Sequence, residues 1–269
     1  MEQGRTGMNY FVEGIQGSGK STLVRQLAEK YKDYTVFHEG DYSPVELAWC
    51  TWMDDEAYEK TLEKYPALRD EIMEKTVTEG THKVMRYTQI ITDITGFHKD
   101  MEQYEIYNGR LDWNRFREIV LTRYKVWNGS DQIFECSIFQ NLVEDMILFR
   151  LMSDDEILNF YREVRVALEG KPYRILYLAS DRIRQNIGII RKERSDEQGN
   201  ELWFPLMMEF FDRCPYAKEK KKAGFDDLIE HLLHRQELEI RLCKEVFGDR
   251  AVILRSKAVD VEKEFGSWQ

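Results

Sequence analysis

Gly14-Ile15-Gln16-Gly17-Ser18-Gly19-Lys20-Ser21 satisfies the spacing G-x-x-x-x-G-K-[ST] at every specified position. Residues of these types at this spacing hold a phosphate chain. Glycines 14, 17 and 19 allow positive φ, so backbone N–H groups can approach a ligand with no Cβ between them. Lys20 supplies a positive charge for the β- and γ-phosphates, and the Ser21 hydroxyl is placed for Mg²⁺. Thr22 is placed to donate to the α-phosphate. The expected ligand is ATP with Mg²⁺, bound by Gly14, Gln16, Gly17, Ser18, Gly19, Lys20, Ser21 and Thr22. A Gly-rich turn that binds nothing is the plain alternative, and the flanking elements argue against it.

Three further groups suit phosphoryl transfer. Glu135 closes an apolar run, Gln132-Ile133-Phe134, where a carboxylate either takes a proton from an attacking hydroxyl or holds the Mg²⁺ shell through water. Arg184, Arg191 and Arg194 recur along one helix, and planar guanidinium forks match the charge spread over a transferred phosphoryl group. The reading here is Arg191 and Arg194 in the reaction and Arg184 toward the substrate; a solvated helix face is the alternative. Glu39 and Asp41 follow a strand at the edge where α/β sheets bind ligands, and are assigned to substrate, with helix capping as their other possible role.

These groups need elements to position them. Asn9–Glu13 reads as a strand entering the loop, and Leu23, Val24, Leu27, Ala28 and Tyr31 recur at helical spacing beyond it. Strand, glycine loop and helix aim backbone N–H groups and a helix N-terminus at one point. Further strands are expected at 34–38, 132–137, 173–178 and 251–254. Strands separated by helices imply a parallel sheet covered on both faces. Between 45 and 127 no strand is expected. That stretch reads as helices over 46–58, 65–78, 83–95 and 112–126, with a turn at Asn108-Gly109. Its many aromatics read chiefly as core, with some available to line a substrate pocket. Ser153 and Glu156 form a capping box ahead of another helix. Residues 181–224 gather the arginines, a turn at Gly199 and the basic run Lys218–Lys222, and read as a mobile lid whose arginines repel one another when open.

The chain has 269 residues, 42% of them hydrophobic and 13% aromatic, enough for a substantial core. Lys plus Arg number 39 against 49 Asp plus Glu, a net charge of −10. An excess of acid argues against a general binder of nucleic acid or anionic membrane, while leaving room for a local basic pocket for phosphates. Cys50, Cys136, Cys214 and Cys243 form no C-x-x-C pair and suit reduced thiols. Residues 1–7 read as a disordered leader, with Met8 an alternative start. No run of about 18 apolar residues is present. A cytoplasmic protein of one domain is expected, with residues 45–127 as a helical substrate region. His231 and His234 stand at i, i+3 with no third ligand near in sequence, so packing or surface roles are expected.

Taken together these residues resemble the P-loop kinases of the nucleoside- and nucleotide-kinase group. That group combines the phosphate loop, a carboxylate after the third strand, an arginine-rich lid after the fourth and a helical substrate region between the second and third. The resemblance implies an α/β P-loop NTPase fold, with a five-stranded parallel sheet in the order 2-3-1-4-5. Deoxynucleoside kinases carry Glu-Arg-Ser where this chain has Glu135-Cys136-Ser137, and the Asp-Arg-Tyr pattern of thymidylate kinases is absent. The chain is similar along nearly its whole length to bacterial thymidylate-kinase-like ATP-binding proteins. The shared residues are His38-Glu39-Gly40-Asp41, Glu135-Cys136-Ser137 with Gln140-Asn141, Pro215-Tyr216 with Lys218, and Gly224-Phe225. The implied activity is transfer of the γ-phosphate to a hydroxyl or phosphate of a small nucleoside-, nucleotide- or antibiotic-like acceptor. A nucleotide-dependent switch for a protein partner is the rival from another class. A homodimer is left open.

Overall fold

A computed structural model describes residues 7–265. The leader expected over residues 1–7 therefore lies outside the described residues except for Gly7, as does the end of the tail.

In chain order the elements are β1 (Asn9–Glu13), α1 (Lys20–Lys30), β2 (Thr35–Phe37), α2 (Asp55–Lys64), α3 (Arg69–Glu74), β3 (Thr76–Glu79), β4 (His82–Met85), α4 (Phe97–Glu102) and α5 (Trp113–Val126). They continue with β5 (Gln132–Glu135), α6 (Gln140–Leu148), α7 (Asp154–Ala167), β6 (Tyr173–Ala179), α8 (Ile183–Glu193) and α9 (Trp203–Arg213). Then follow α10 (Pro215–Lys220), α11 (Gly224–Arg241), β7 (Ala251–Arg255) and α12 (Val261–Phe265). The chain divides into two compact units, one of residues 1–36 with 128–269, the other of residues 37–127.

The first unit is built on a five-stranded sheet in the order β2-β5-β1-β6-β7. Counting only this sheet's strands along the chain, that order is 2-3-1-4-5, as the sequence leads one to expect. β1 runs parallel to both β5 and β6, and β6 parallel to β7. Parallel neighbours need crossover helices, and helices on both faces explain why β1 is buried at every residue. Tyr10, Val12, Ile133, Leu176 and Leu178 from the strands pack against Leu23, Val24 and Leu27 of α1. α7 starts at the capping box expected from the sequence, with Ser153 and Glu156 bonding each other's backbone. α11 runs on into a π-helical turn over Leu242–Phe247. All four cysteines are free and buried.

The second unit departs from its all-helical expectation. β3 and β4 pair antiparallel in a hairpin, with Val77 opposite Val84 and Thr78 opposite Lys83. Gly80, at φ 60°, opens its two-residue turn. The pairing takes residues 76–78 and 83–85 away from the helices expected there, because β-branched Thr76, Val77 and Thr78 gain more from cross-strand packing than from a helix. Residues 46–54 form no helix either, the first helix beginning at Asp55, capped by Asp54, and the helix expected over 83–95 is replaced by β4 and a single 3-10 turn at Tyr87–Gln89. α5 is as expected, with Asp112 accepting from the N–H groups of Asn114 and Arg115. Asn108 and Gly109 both adopt positive φ. The unit's core joins Met53, Tyr58, Leu62, Ile72, Met85, Tyr87 and Phe97.

Candidate active site

β1 ends at Glu13, and the chain turns through Gly14, Gly17 and Gly19 at φ 141°, 78° and 97° before α1 begins at Lys20. A Cβ on Gly14 would lie 2.7 Å from the Leu178 carbonyl oxygen and 2.7 Å from Ser18 Oγ, so only glycine fits. A Cβ on Gly17 would lie 2.7 Å from Ile190 Cδ1 and 3.2 Å from Asn186 Cβ, which puts α8 directly against the loop. Ser256 Oγ donates to the Ser18 carbonyl at 2.7 Å and clamps the loop from the segment after β7.

Inside this loop Lys20 Nζ donates to the carbonyl oxygens of Gly14, at 2.7 Å, and Ile15, at 3.1 Å. Its ammonium is thus turned back on the loop, and its side chain is mostly buried. One helical position on, Ser21 Oγ donates to Glu135 Oε1 at 2.6 Å. β5 lies beside β1, with Val12 in register with Glu135, so sheet pairing brings residues 114 apart in sequence together. Serine hydroxyl and carboxylate at hydrogen-bond distance, next to a lysine, form an all-oxygen donor pair beside a cation. That pair suits Mg²⁺, which takes one or two carboxylates, waters and substrate phosphates in preference to an all-protein cage. Among the described residues no three His, Cys, Asp or Glu side chains cluster as metal ligands.

A buried ionic group underlies the loop. Arg235 of α11, with no exposed side-chain surface, donates through Nη2 to Gln16 Oε1 at 2.9 Å and through Nη1 to Glu144 of α6. Its Nε lies 3.1 Å from Glu239 Oε1, and Tyr177 donates to Glu239 Oε2 at 2.8 Å. Burial, the largest single effect, raises Glu144, but the Arg235 charge together with His231 and Gln16 outweighs it and holds the carboxyl at about 2. Burial raises Glu239, against the pull of the same arginine. Arg235 therefore forms its ion pair chiefly with Glu144. His231, one turn from Arg235, is buried with its ring between Phe211 and Tyr216, and burial lowers its pKa.

α8 turns two faces to its surroundings. Its apolar stripe, Ile183, Ile187 and Ile190, is buried, and Ile190 meets the loop. The arginine stripe instead finds partners in residues 201–226. Arg191 makes a two-pronged contact with Glu201, Nε to Oε1 at 2.9 Å and Nη2 to Oε2 at 3.0 Å, and lies 3.9 Å from the Phe204 ring centroid. Arg184 bonds Asp226 at 2.6 Å and sits over Phe225 at 4.9 Å, and Arg194 sits over Trp203 at 5.0 Å. Carboxylates thus pair with Arg184 and Arg191, and aromatic faces cover all three arginines.

A cavity of about 360 Å³ opens at the carboxyl ends of β6 and β7, lined by Ala179, Ser180, Asp181, Ile253, Leu254 and Arg255. Asn186 Nδ2 donates to Ser180 Oγ at 2.8 Å, and Gln236 both accepts from the Ser180 N–H and donates to its carbonyl.

In the second unit, Glu39 and Asp41 stand in the segment after β2. Glu39 Oε1 accepts from Trp49 Nε1 at 3.0 Å, with Trp49 exposed and at φ 63°. Asp41 accepts from the His38 N–H at 2.8 Å and from Gln89 Nε2 at 2.9 Å. Neither caps a helix. Burial lifts two further carboxyls of this unit, Glu46 and Glu105, to about 7; Tyr107 donates to the first and Tyr87 to the second.

The structure thus joins Gly14–Thr22 to Glu135, and sets the helix bearing Arg184, Arg191 and Arg194 against the loop by its other face. Sequence reasoning missed Arg235, Glu144, Glu239 and Glu13. The available signal was polar residues at core positions: Arg235 and Glu239 continue the buried period of Leu228 and Leu232 on α11.

Sheet order, glycine loop and following helix define the α/β P-loop NTPase fold. No model of a known protein family matches the chain, and neither does the sequence of any curated protein. Among solved structures, the chain is similar to a deoxyadenosine kinase from M. mycoides with bound dATP, at 17% identity over 96% of this chain and 95% of that one, with a TM-score of 0.39. It is also similar to a gluconokinase from Sinorhizobium meliloti 1021, at 13% identity over 96% and 87%, with a TM-score of 0.36. Likenesses this distant carry no inference about what this chain binds or acts on. No described helix is long and apolar enough to cross a membrane.

Proposed function

We propose that this chain is an ATP- and Mg²⁺-dependent small-molecule kinase. It transfers the γ-phosphate to a hydroxyl or phosphate of a nucleoside-, nucleotide- or antibiotic-like acceptor. The observation that carries the reading is the 2.6 Å contact between Ser21 and Glu135, set beside Lys20 within the glycine loop. A loop that only bound phosphate would need no carboxylate at that point. A site that cleaves the γ-phosphate needs one, either to take the proton of the attacking group or to hold the metal shell through water.

In this account the backbone N–H groups of Gly17 to Thr22 cradle the phosphates. Lys20 exchanges its two carbonyl partners for the β- and γ-oxygens. Mg²⁺, when bound, would neutralise phosphate charge; Ser21 would hold it, and Glu135 would hold its water shell or take the acceptor's proton. The cavity at the carboxyl ends of β6 and β7 takes the base end of the nucleotide. Arg191 and Arg194 leave their partners in residues 201–204 for the developing phosphoryl charge, and Arg184, Glu39 and Asp41 serve the acceptor. The protein works in the cytoplasm, and its partner is a small molecule, with neither nucleic acid nor membrane involved.

Screening nucleosides, nucleotides and hydroxylated antibiotics for ATP-dependent phosphorylation tests this. A phosphorylated product with a balanced yield of ADP supports it. ATP hydrolysis that responds only to a protein would establish a nucleotide-dependent switch in its place.

A further inference from the structure

We infer that Glu13 is a positioning residue for Glu135, fixing from β1 the turn that aims the Glu135 carboxylate at Ser21. The inference rests on the phosphotransferase reading, in which Glu135 and Ser21 act at the metal.

Glu13 is wholly buried at the end of β1, immediately before the glycine loop. Its Oε1 accepts from the Ile138 N–H at 2.8 Å and its Oε2 from the Gln140 N–H at 3.3 Å. Those two N–H groups flank Phe139, where α6 begins without a hydrogen bond from any cap of its own. Glu13 therefore caps α6 from another strand. A carboxylate at a helix N-terminus is favoured by the orphan N–H groups and the helix dipole.

The capped turn is a demanding one. Straight after Glu135 the chain bends at Cys136, a buried residue held at φ 59°, a conformation costly for any residue with a Cβ. Cys136 N–H reaches the Val12 carbonyl at 3.2 Å, and Tyr161 donates to the Ile138 carbonyl at 2.6 Å. With Val12 and Glu13 holding positions 136, 138 and 140, two adjacent residues of β1 determine how the chain leaves Glu135. Its two carboxyl oxygens let Glu13 meet both N–H groups at once, which the single oxygen of a serine or asparagine cap could not do.

The surrounding charges tie the same group to the phosphate loop. Burial pushes Glu13 up to about 8; the Ile138 N–H pulls it down, the Glu239 carboxyl of α11 pushes it up, and Lys20 of α1 pulls it down. The Cys243 thiol of the π-helical turn also faces it, and Tyr177 of β6 and Arg235 face Glu239.

The test is ATP affinity measured by calorimetry with Mg²⁺ and with a chelator, in wild type, Glu135→Gln, Glu13→Gln and the double variant. Glu13→Gln keeps the size of the side chain but sets an amide NH₂ group against a backbone N–H. Each single variant should lose roughly 10- to 100-fold of the gain in affinity that Mg²⁺ confers, as loss of a group supporting a metal ligand does. Chelated ATP should bind as in wild type, and the double variant should be no worse than Glu135→Gln. Full retention of the Mg²⁺ gain by Glu13→Gln overturns the inference, as does an equal loss with and without metal, which marks a merely structural role. If Glu13→Gln does not fold, Glu13→Asp decides by the same criteria, because its shortened side chain keeps the carboxyl group and loses the reach. A wild type whose ATP affinity ignores Mg²⁺ overturns the phosphotransferase reading and this inference together, whereas a loss confined to Glu135→Gln overturns the role of Glu13 alone.

Discussion

Ser21 Oγ donates to Glu135 Oε1 across 2.6 Å, joining the first turn of α1 to the end of β5. The register of β1 on β5 imposes this meeting, and it converts a phosphate loop into a site with a carboxylate.

Glu135→Gln should therefore keep its affinity for chelated ATP and lose turnover. Removing a proton acceptor, or the charge that holds a metal shell, costs about 10²–10⁴-fold in rate. Rapid-quench measurement of ADP formation with a saturating acceptor checks this. A variant within a fewfold of wild type would place Glu135 outside the chemistry.

Arg191 is held by both oxygens of Glu201, so it must exchange a carboxylate for phosphate before it can act. Glu201→Gln should weaken that hold and tighten ATP binding, while Arg191→Ala and Arg194→Ala should lower turnover far more than affinity. Amide exchange over residues 183–224 should slow when ATP·Mg²⁺ is added. If exchange there ignores nucleotide and both arginine variants keep full turnover, the arginines serve the packing of α8 alone.

Arg235 lies beneath the loop with its charge matched by Glu144. Arg235→Ala leaves the half-buried Glu144 carboxylate and the buried Glu239 without their cation and should cost about 3–5 kcal/mol in denaturant unfolding. Arg235→Met with Glu144→Gln should recover much of that loss while leaving Gln16 without its donor. Equal stability of Arg235→Ala and wild type would contradict the buried ion pair.

Glu13, at about 8, and Glu46 and Glu105, each at about 7, are held well above 4.5 by burial. An acid that binds its proton more tightly when folded stabilises the fold at low pH, and that contribution fades as pH rises through its folded value. Glu144, held at about 2, acts in the opposite sense, but only as pH falls below 4.5. Buried His231 opposes folding only below 6.5, where the unfolded chain gains a proton that the folded one refuses. Between pH 6.5 and 8.5 the carboxyls decide, so the thermal midpoint should fall across that window. A Glu46→Gln, Glu105→Gln double variant should show a shallower fall. A midpoint that rises over this range would contradict the burial of these groups.

The frame of the site was legible because its signals are local. The glycine loop, the apolar strands and the Ser153 box each sit within a few residues, and parallel strands buried on both faces read as continuous apolar runs. The groups that were missed act across long sequence separations. Glu13 accepts from residues 125 and 127 positions away, and Arg235 donates to Gln16 from 219 positions away. Nothing in the spacing of either residue reveals such a partner. The β3–β4 hairpin was hidden for another reason. Its four-residue strands are too short for an alternation to stand out, and Lys83 to Met85 fit a helical period equally well. The arginine stripe on α8 was readable, but its carboxylate and aromatic partners lie beyond the next turn.

The central claim is that Gly14 to Thr22 holds a nucleoside triphosphate, with Lys20 as its cation. Titration calorimetry of ATP·Mg²⁺ into wild type and Lys20→Ala tests it most directly. Bonds to a charged group contribute about 1.5–3 kcal/mol, so the variant should bind roughly 10- to 100-fold more weakly while its fold, followed by circular dichroism, is unchanged. Binding of ATP·Mg²⁺ with the same affinity by both proteins, or by neither, would contradict the account.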